Sequence, residues 1–171
     1  MSSADGRDER MMTESDYAKD YASLRLDNQL CFPLYACAKE VVRLYTPFLD
    51  PLDLTYTQYI AMMALWEHRT ISVKELGALL WLDSGTLTPL LKKLEAKGYV
   101  TRSRSREDER SVTVSLTEAG DALKHRAASV PEQVGACLRM EPEEAAALHT
   151  MLHRMLARFA GEGEPKDGPQ S

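Results

Sequence analysis

Cys31 is the residue whose type and position most clearly offer chemistry. It lies four positions after Asp27, a good helix N-cap, within the periodic run Leu30, Leu34, Ala38, Val41, Val42 and Tyr45. A thiol in the first turns of a helix meets unpaired N–H groups and the positive end of the helix dipole, and both favour the thiolate. A thiolate attacks the O–O bond of a peroxide and becomes a sulfenic acid. Two further cysteines, Cys37 and Cys137, make the total three. That number is too small and too odd for a disulfide framework, so free thiols in a reducing compartment are expected. Cys37 falls on another helix face and reads as structural. His149 and His153 have the spacing of a metal-gripping pair, but two imidazoles without a third ligand are not a site. No metal and no cofactor is expected.

The elements that must position these groups follow from composition and period. The chain has 171 residues, enough for one domain with a real core, and its 44% hydrophobic and 27% charged residues are ordinary. No apolar run is long enough for a membrane span, and the polar start lacks a signal core, so a cytoplasmic protein with no membrane partner is expected. The net charge of −5 is unevenly spread: residues 1–16 hold two arginines against five acids, and 161–171 one lysine against three. Residues 92–110 instead hold seven basic residues against four acidic ones. Such a local basic stripe is what a phosphate backbone meets. Residues 1–20 and 161–171 offer no apolar face to bury and read as disordered tails around a single domain over 21–160.

Within that domain a helix is expected from about Asp27 towards Leu49, kinked or broken at Pro33, with Pro47 and Pro51 marking its exit. Thr55 with Gln58, and Ser72 with Glu75, have capping-box spacing and open two helices. After Trp81-Leu82-Asp83 comes a third periodic stretch, Leu87, Leu90, Leu91 and Leu94, stopped by Gly98. Two short helices across a tight turn are a helix-turn-helix signature. Residues 99–104 and 111–116 then alternate as strands around a charged loop, which makes a wing. Thr117 caps a helix reaching about Leu138, and Pro142 opens a last one striped by Leu148, Met151, Leu152, Met155, Leu156 and Phe159. The expected fold is mainly α with a small β-hairpin wing: a winged helix-turn-helix whose DNA-binding part spans 54–118, flanked by dimerisation helices over 23–49 and 118–160. The flanking helices carry more apolar surface than one winged helix covers, so a two-fold homodimer is expected.

Double-stranded DNA is the expected partner. Ser84, Thr86 and Thr88 stand early on the third helix, where base edges and phosphates are met, with Lys92 and Lys93 later. Arg104 and Arg106 lie on and beyond the first wing strand. Arg110, at the hairpin tip, suits a narrow minor groove, and Asp108 is placed to orient it.

The stretch Asp83-Ser-Gly-Thr-Leu-Thr-Pro-Leu-Leu-Lys-Lys-Leu-Glu-Ala-Lys-Gly98, the wing's Asp108-Glu-Arg110 and the following Leu116-Thr-Glu-Ala-Gly120 resemble the MarR family of transcriptional regulators. The likeness covers about residues 24–160. Asp27-Asn-Gln-Leu-Cys31-Phe-Pro-Leu-Tyr35 resembles the sensing motif of that family's organic-hydroperoxide branch. This resemblance implies a non-enzymatic repressor that binds a pseudo-palindromic operator and releases it when an organic hydroperoxide oxidises Cys31. It also implies that Tyr45 and Tyr56 hydrogen-bond the reactive sulfur, with Tyr35 nearby. Cys137 falls about where two-cysteine members carry a resolving cysteine, and whether it pairs with Cys31 across a dimer stays open. Two other readings stay open as well. One is a MarR-type repressor of a small aromatic or phenolic effector in which Cys31 is incidental. The other is a thiol peroxidase, against which stand the unexplained DNA-binding module and the lack of a second cysteine at short redox spacing.

Overall fold

The computed structural model describes residues 21–104 and 112–161. The chain divides into two compact units, Met1–Arg43 and Leu44–Ser171. Two 3-10 turns, Ala22–Leu24 and Leu26–Asn28, precede helix α1, Cys31–Leu49, which starts in the first unit and ends in the second. The side-chain amide of Asn28 donates to the Ala22 carbonyl at 2.6 Å, and that of Gln29 to the carbonyls of Ser23 and of Arg25, the latter at 3.3 Å. These local bonds compete with helix formation. Asp27 therefore sits inside a 3-10 turn instead of capping α1, and the helix expected from about Asp27 begins only at Cys31. Pro33 neither kinks nor breaks it. As the third helical residue it lacks an N–H that would have found no intrahelical partner. Pro47 is inside α1 and not at its exit; the helix runs on to Leu49 before the 3-10 turn Asp50–Leu52, which contains Pro51.

The second unit holds the winged helix. Helix α2, Tyr56–His68, opens on the expected capping box: the Gln58 N–H donates to the Thr55 hydroxyl (3.3 Å) and the Thr55 N–H to the Gln58 side chain (3.1 Å). Strand β1, Thr70–Ser72, follows, and Ser72 with Glu75 caps helix α3, Val73–Leu80, in the same way. Helix α4, Ser84–Ala96, ends in a Schellman motif. The Gly98 N–H bonds the Glu95 carbonyl (2.9 Å) and the Tyr99 N–H the Leu94 carbonyl (3.1 Å), with Gly98 at φ +75°. A left-handed residue is needed there, and glycine adopts it without steric penalty.

Strands β2, Val100–Arg104, and β3, Val112–Leu116, form the expected hairpin. β1 adds to the free side of β3, so the antiparallel sheet runs β1-β3-β2, with Ile71 opposite Val114 and Arg102 on the far side of it. Three residues are too short a run for alternation to announce β1. Beyond the hairpin, the single helix expected up to Leu138 is two, α5, Glu118–Ala127, and α6, Val130–Leu138. Pro131, in the first turn of α6, has no N–H for the Ala127 carbonyl and its ring would strike it. Helix α7, Pro142–Phe159, closes the described chain.

The core of the second unit is Leu49, Leu52, Leu54, Tyr59, Met62 and Leu65 against Leu76, Leu87, Leu91 and Leu94, closed by Val100, Val114, Leu123 and Val134. Each helix delivers its residues at three- and four-residue spacing, and each strand its alternate residues. Helix α7 contributes nothing to it. Leu148, Met151, Leu152, Leu156 and Phe159 are all exposed in the single chain.

Candidate functional site

Helix α4 buries Leu87, Leu90, Leu91 and Leu94 and turns its other side outward. Ser84, Thr86, Thr88, Lys92 and Lys93 all lie exposed on that outer side. The helix start is built by Asp83. Its carboxylate accepts from the Thr86 N–H and from the Thr86 hydroxyl, both at 2.9 Å. These bonds, the backbone one first, hold the Asp83 carboxyl below its usual range. Gly85 makes room for the cap, since a Cβ there would stand 2.9 Å from the Asp83 carboxylate oxygen. Thr86 thus has its hydroxyl hydrogen committed to Asp83, and what remains for a ligand is its acceptor side. Lys93 borders a cleft of about 470 Å³ with Asp50, Asp53, Thr55 and Lys97, across which Lys97 is ion-paired to Asp53 at 3.0 Å.

The turn between α3 and α4 is held by close approach. The Leu82 N–H bonds the Gly77 carbonyl at 2.9 Å, and a Cβ on Gly77 would come within 2.9 Å of the Leu82 carbonyl oxygen. Trp81 takes the left-handed conformation that reverses the chain. On the wing, Arg104 is exposed at the outer end of β2. Arg106, Asp108 and Arg110 lie outside the described residues.

Arg102 was counted in the sequence only as one member of the basic stripe, and Glu95 as an acid within it. The fold joins them. The Arg102 guanidinium donates from Nε (2.9 Å) and Nη2 (2.6 Å) to Glu95 Oε2, while its backbone N–H donates to Glu95 Oε1 (3.1 Å). The guanidinium is the first cause holding the Glu95 carboxyl below the ordinary range.

At the base of the wing, Thr117 carries out two tasks at once. Its hydroxyl donates to the Gly98 carbonyl (2.6 Å) and accepts from the Gly120 N–H, capping α5. Gly120 lets that helix press against the hairpin, since a Cβ would stand 2.1 Å from the Tyr99 carbonyl oxygen. Its own carbonyl accepts from the Trp66 indole N–H at 2.8 Å. The Leu-Thr-x-x-Gly pattern is a device for joining helix to wing.

Cys31 is the first residue of α1 and is exposed, as are Tyr35 and, near the end of α6, Cys137. Cys31 and Tyr35 belong to the first unit, Tyr45 and Tyr56 to the second. The two tyrosines meet edge to face with ring centroids 4.9 Å apart. Tyr59, on α2, lies 5.8 Å from Tyr45 and is buried. Burial, then the neighbouring Tyr45, pushes the Tyr56 and Tyr59 phenols above their usual pKa, so they stay protonated hydrogen-bond donors near neutral pH. The His149 and His153 rings meet at a tilt of 50° along α7, centroids 4.2 Å apart.

Residues 43–127 match the transcriptional regulator SarA/Rot family. The organic hydroperoxide resistance transcriptional regulator of Bacillus subtilis is 48% identical over 133 residues, 78% of this chain and 90% of that protein. The chain belongs to the MarR family of winged-helix transcriptional regulators. Within the MarR family this likeness places it in the organic-hydroperoxide-regulator branch. Two solved members share the fold. Reduced AbfR bound to DNA, a protein of Staphylococcus epidermidis, gives a TM-score of 0.66 at 32% identity, covering 82% of this chain and 98% of AbfR. A mutant MarR from E. coli complexed with operator DNA gives 0.67 at 27% identity over 82% of this chain and 97% of that one. These relatives are transcriptional regulators and not enzymes. No described helix is long and apolar enough to cross a membrane.

Proposed function

We propose that this MarR-family chain is a cytoplasmic, homodimeric repressor that binds a pseudo-palindromic duplex and releases it when an organic hydroperoxide oxidises Cys31. The observation that carries the redox half is an exposed thiol standing at the first residue of a long helix, in a chain 48% identical to a hydroperoxide resistance regulator. The thiolate is the form that attacks a peroxide. The thiolate sulfur attacks one peroxide oxygen and the O–O bond breaks. The other oxygen leaves as alkoxide and takes up a proton, giving an alcohol and a cysteine sulfenic acid. Tyr45 and Tyr56, the latter kept a neutral phenol by burial, are the proposed donors to the sulfur, with Tyr35 beside them. A thiol then condenses with the sulfenic acid to a disulfide and water, and Cys137 of a second copy is the proposed thiol in this chain. AbfR has been solved reduced on DNA, overoxidised on DNA and with its disulfide formed.

The DNA half rests on the exposed hydroxyls and lysines of α4, on Arg104, and on the wing sequence Arg106, Asp108 and Arg110. Successive major grooves one helical turn apart would receive the α4 helices of the two copies. The exposed stripe of α7, with α1, is the proposed dimer surface, so that residues 54–118 read DNA and the flanking helices pair.

The test is a Cys31→Ser variant beside the parent, with duplex binding and intact mass followed during cumene hydroperoxide addition. The parent should release DNA as Cys31 gains oxygen or forms a disulfide. The variant should bind equally well and ignore the peroxide. A variant that still responds sinks the sensor assignment and favours the phenolic-effector reading. Loss of the disulfide alone in Cys137→Ser would assign the resolving role.

A further inference from the structure

We infer that Glu95 and Arg102 form a brace that sets the direction of the wing relative to the DNA-reading helix, making both positioning residues for operator recognition. The inference rests on the DNA-binding reading above. Only Lys97, Gly98 and Tyr99 connect α4 to β2, and the Schellman motif reverses the chain there. Past Arg102 and its buried partner Val114 the hairpin leaves the core, and the next pair, Arg104 with Val112, is exposed. Val100, Arg102 and Arg104 point to one face of β2, because alternate strand residues do. Arg102 follows Val100 on that face, at the rim of the core, and its side chain reaches back to α4. Both Glu95 oxygens are used, one by the guanidinium nitrogens at 2.6 and 2.9 Å and the other by the Arg102 backbone N–H at 3.1 Å. Side chain and main chain of one strand residue are held by one helix residue, which removes the freedom of the strand to pivot about Gly98.

This contact has two further consequences. Arg102 spends Nε and Nη2 on Glu95, so it is not the free phosphate-binding cation that the charge of the basic stripe suggests. Glu95, an acid on the reading helix, has its repulsion towards DNA cancelled by a fixed partner. Minor-groove entry by the wing and major-groove entry by α4 must happen together, and the brace holds the two at one relative angle.

The test uses the full-length reduced protein and a duplex that the unaltered chain selects from a random-sequence pool. Glu95→Gln keeps the size and an acceptor oxygen but loses the charge. Glu95→Arg combined with Arg102→Glu restores a reversed pair. The brace predicts that Glu95→Gln weakens binding to the selected duplex about tenfold, the loss of one charge-assisted contact. Hydroxyl-radical protection of the minor groove should be lost while protection of guanine N7 in the major groove stays. The reversed pair should regain the minor-groove protection. Removing an acid near DNA would otherwise tighten binding, so the sign of the effect is diagnostic. Unchanged or tighter binding by Glu95→Gln with intact minor-groove protection overturns the brace. So does a drop in both protections together with a lowered Tm, which marks a merely structural pair. An Arg102→Lys variant that loses affinity where Glu95→Gln does not would make Arg102 a phosphate ligand, and also overturns it. If the unaltered chain selects no duplex, the DNA-binding reading itself fails and the brace falls with it, an outcome distinct from any behaviour of the variants.

Discussion

A single hydroxyl or a single missing methyl decides much in this molecule. Tyr56 is held protonated by burial and by Tyr45, so its O–H is available to a thiolate acceptor. Tyr56→Phe keeps the ring and removes the donor. Its expected effect is a roughly tenfold slower reaction of Cys31 with cumene hydroperoxide, the value of about one lost hydrogen bond to a charged group, with duplex binding unchanged. Stopped-flow loss of the free thiol measures it, and an unaltered rate would remove Tyr56 from the sensor. Gly120 is the opposite case, a position that tolerates nothing. Its missing Cβ is where the Tyr99 carbonyl sits, 2.1 Å from the ideal position. Gly120→Ala should destabilise the fold by about 1–3 kcal/mol, because backbone has to shift. A urea titration reads this as a lower midpoint at constant m-value. Gly120 is a motif letter in the sequence, and only its contacts show what that letter is for.

At the scale of elements, the reading helix and the wing are tied down by carboxylates. Asp83 caps α4, Glu95 grips Arg102, and Asp121 accepts from Lys124 (2.8 Å) and from Arg69 (2.7 Å). The carboxyls of all three sit below their ordinary range, through the Thr86 N–H, the Arg102 guanidinium and Lys124 with Arg69 respectively. A carboxyl with a lowered folded pKa stabilises fully above its unfolded value, near 3.8 for the aspartates, and ceases to do so as pH falls through the folded value. The thermal midpoint should therefore hold steady near neutral pH and decline once pH drops below about 4. Asp83→Asn, which retains a capping oxygen but does not titrate, should flatten part of that decline. Because these groups are exposed, high salt should flatten it too. A midpoint that rises on acidification would contradict the assignment.

For the whole molecule, the question is what covers α7. Leu148, Leu152 and Leu156 repeat along one side of a helix that supplies no buried residue. A surface of that kind is expected to pair. Leu152→Glu should raise the dimer dissociation constant about a hundredfold, the effect of a charge at the centre of an apolar contact. Sedimentation velocity checks it, and the variant's Tm should lose the concentration dependence that an obligate dimer shows. A variant that sediments as the parent does would place the dimer surface elsewhere.

Sequence by itself determined the succession of helices, the two capping boxes, the Gly98 stop and the hairpin, because each depends on residues within a few positions of one another. It also singled out Cys31, since a cysteine inside that nine-residue motif needs no fold to be noticed. It failed where a competing local bond or a proline acts: Asn28 and Gln29 delay α1 to Cys31, and Pro131 splits the helix expected up to Leu138. What the tertiary structure alone decided were meetings between residues distant in the chain or drawn from different elements. Trp66 on Gly120 and β1 beside β3 are long-range pairings that no local pattern encodes. Glu95 and Arg102 stand seven residues apart, yet they read as two unrelated charges until the Gly98 turn folds strand back on helix. Period and capping are properties of a segment, whereas partnership is a property of the packed chain.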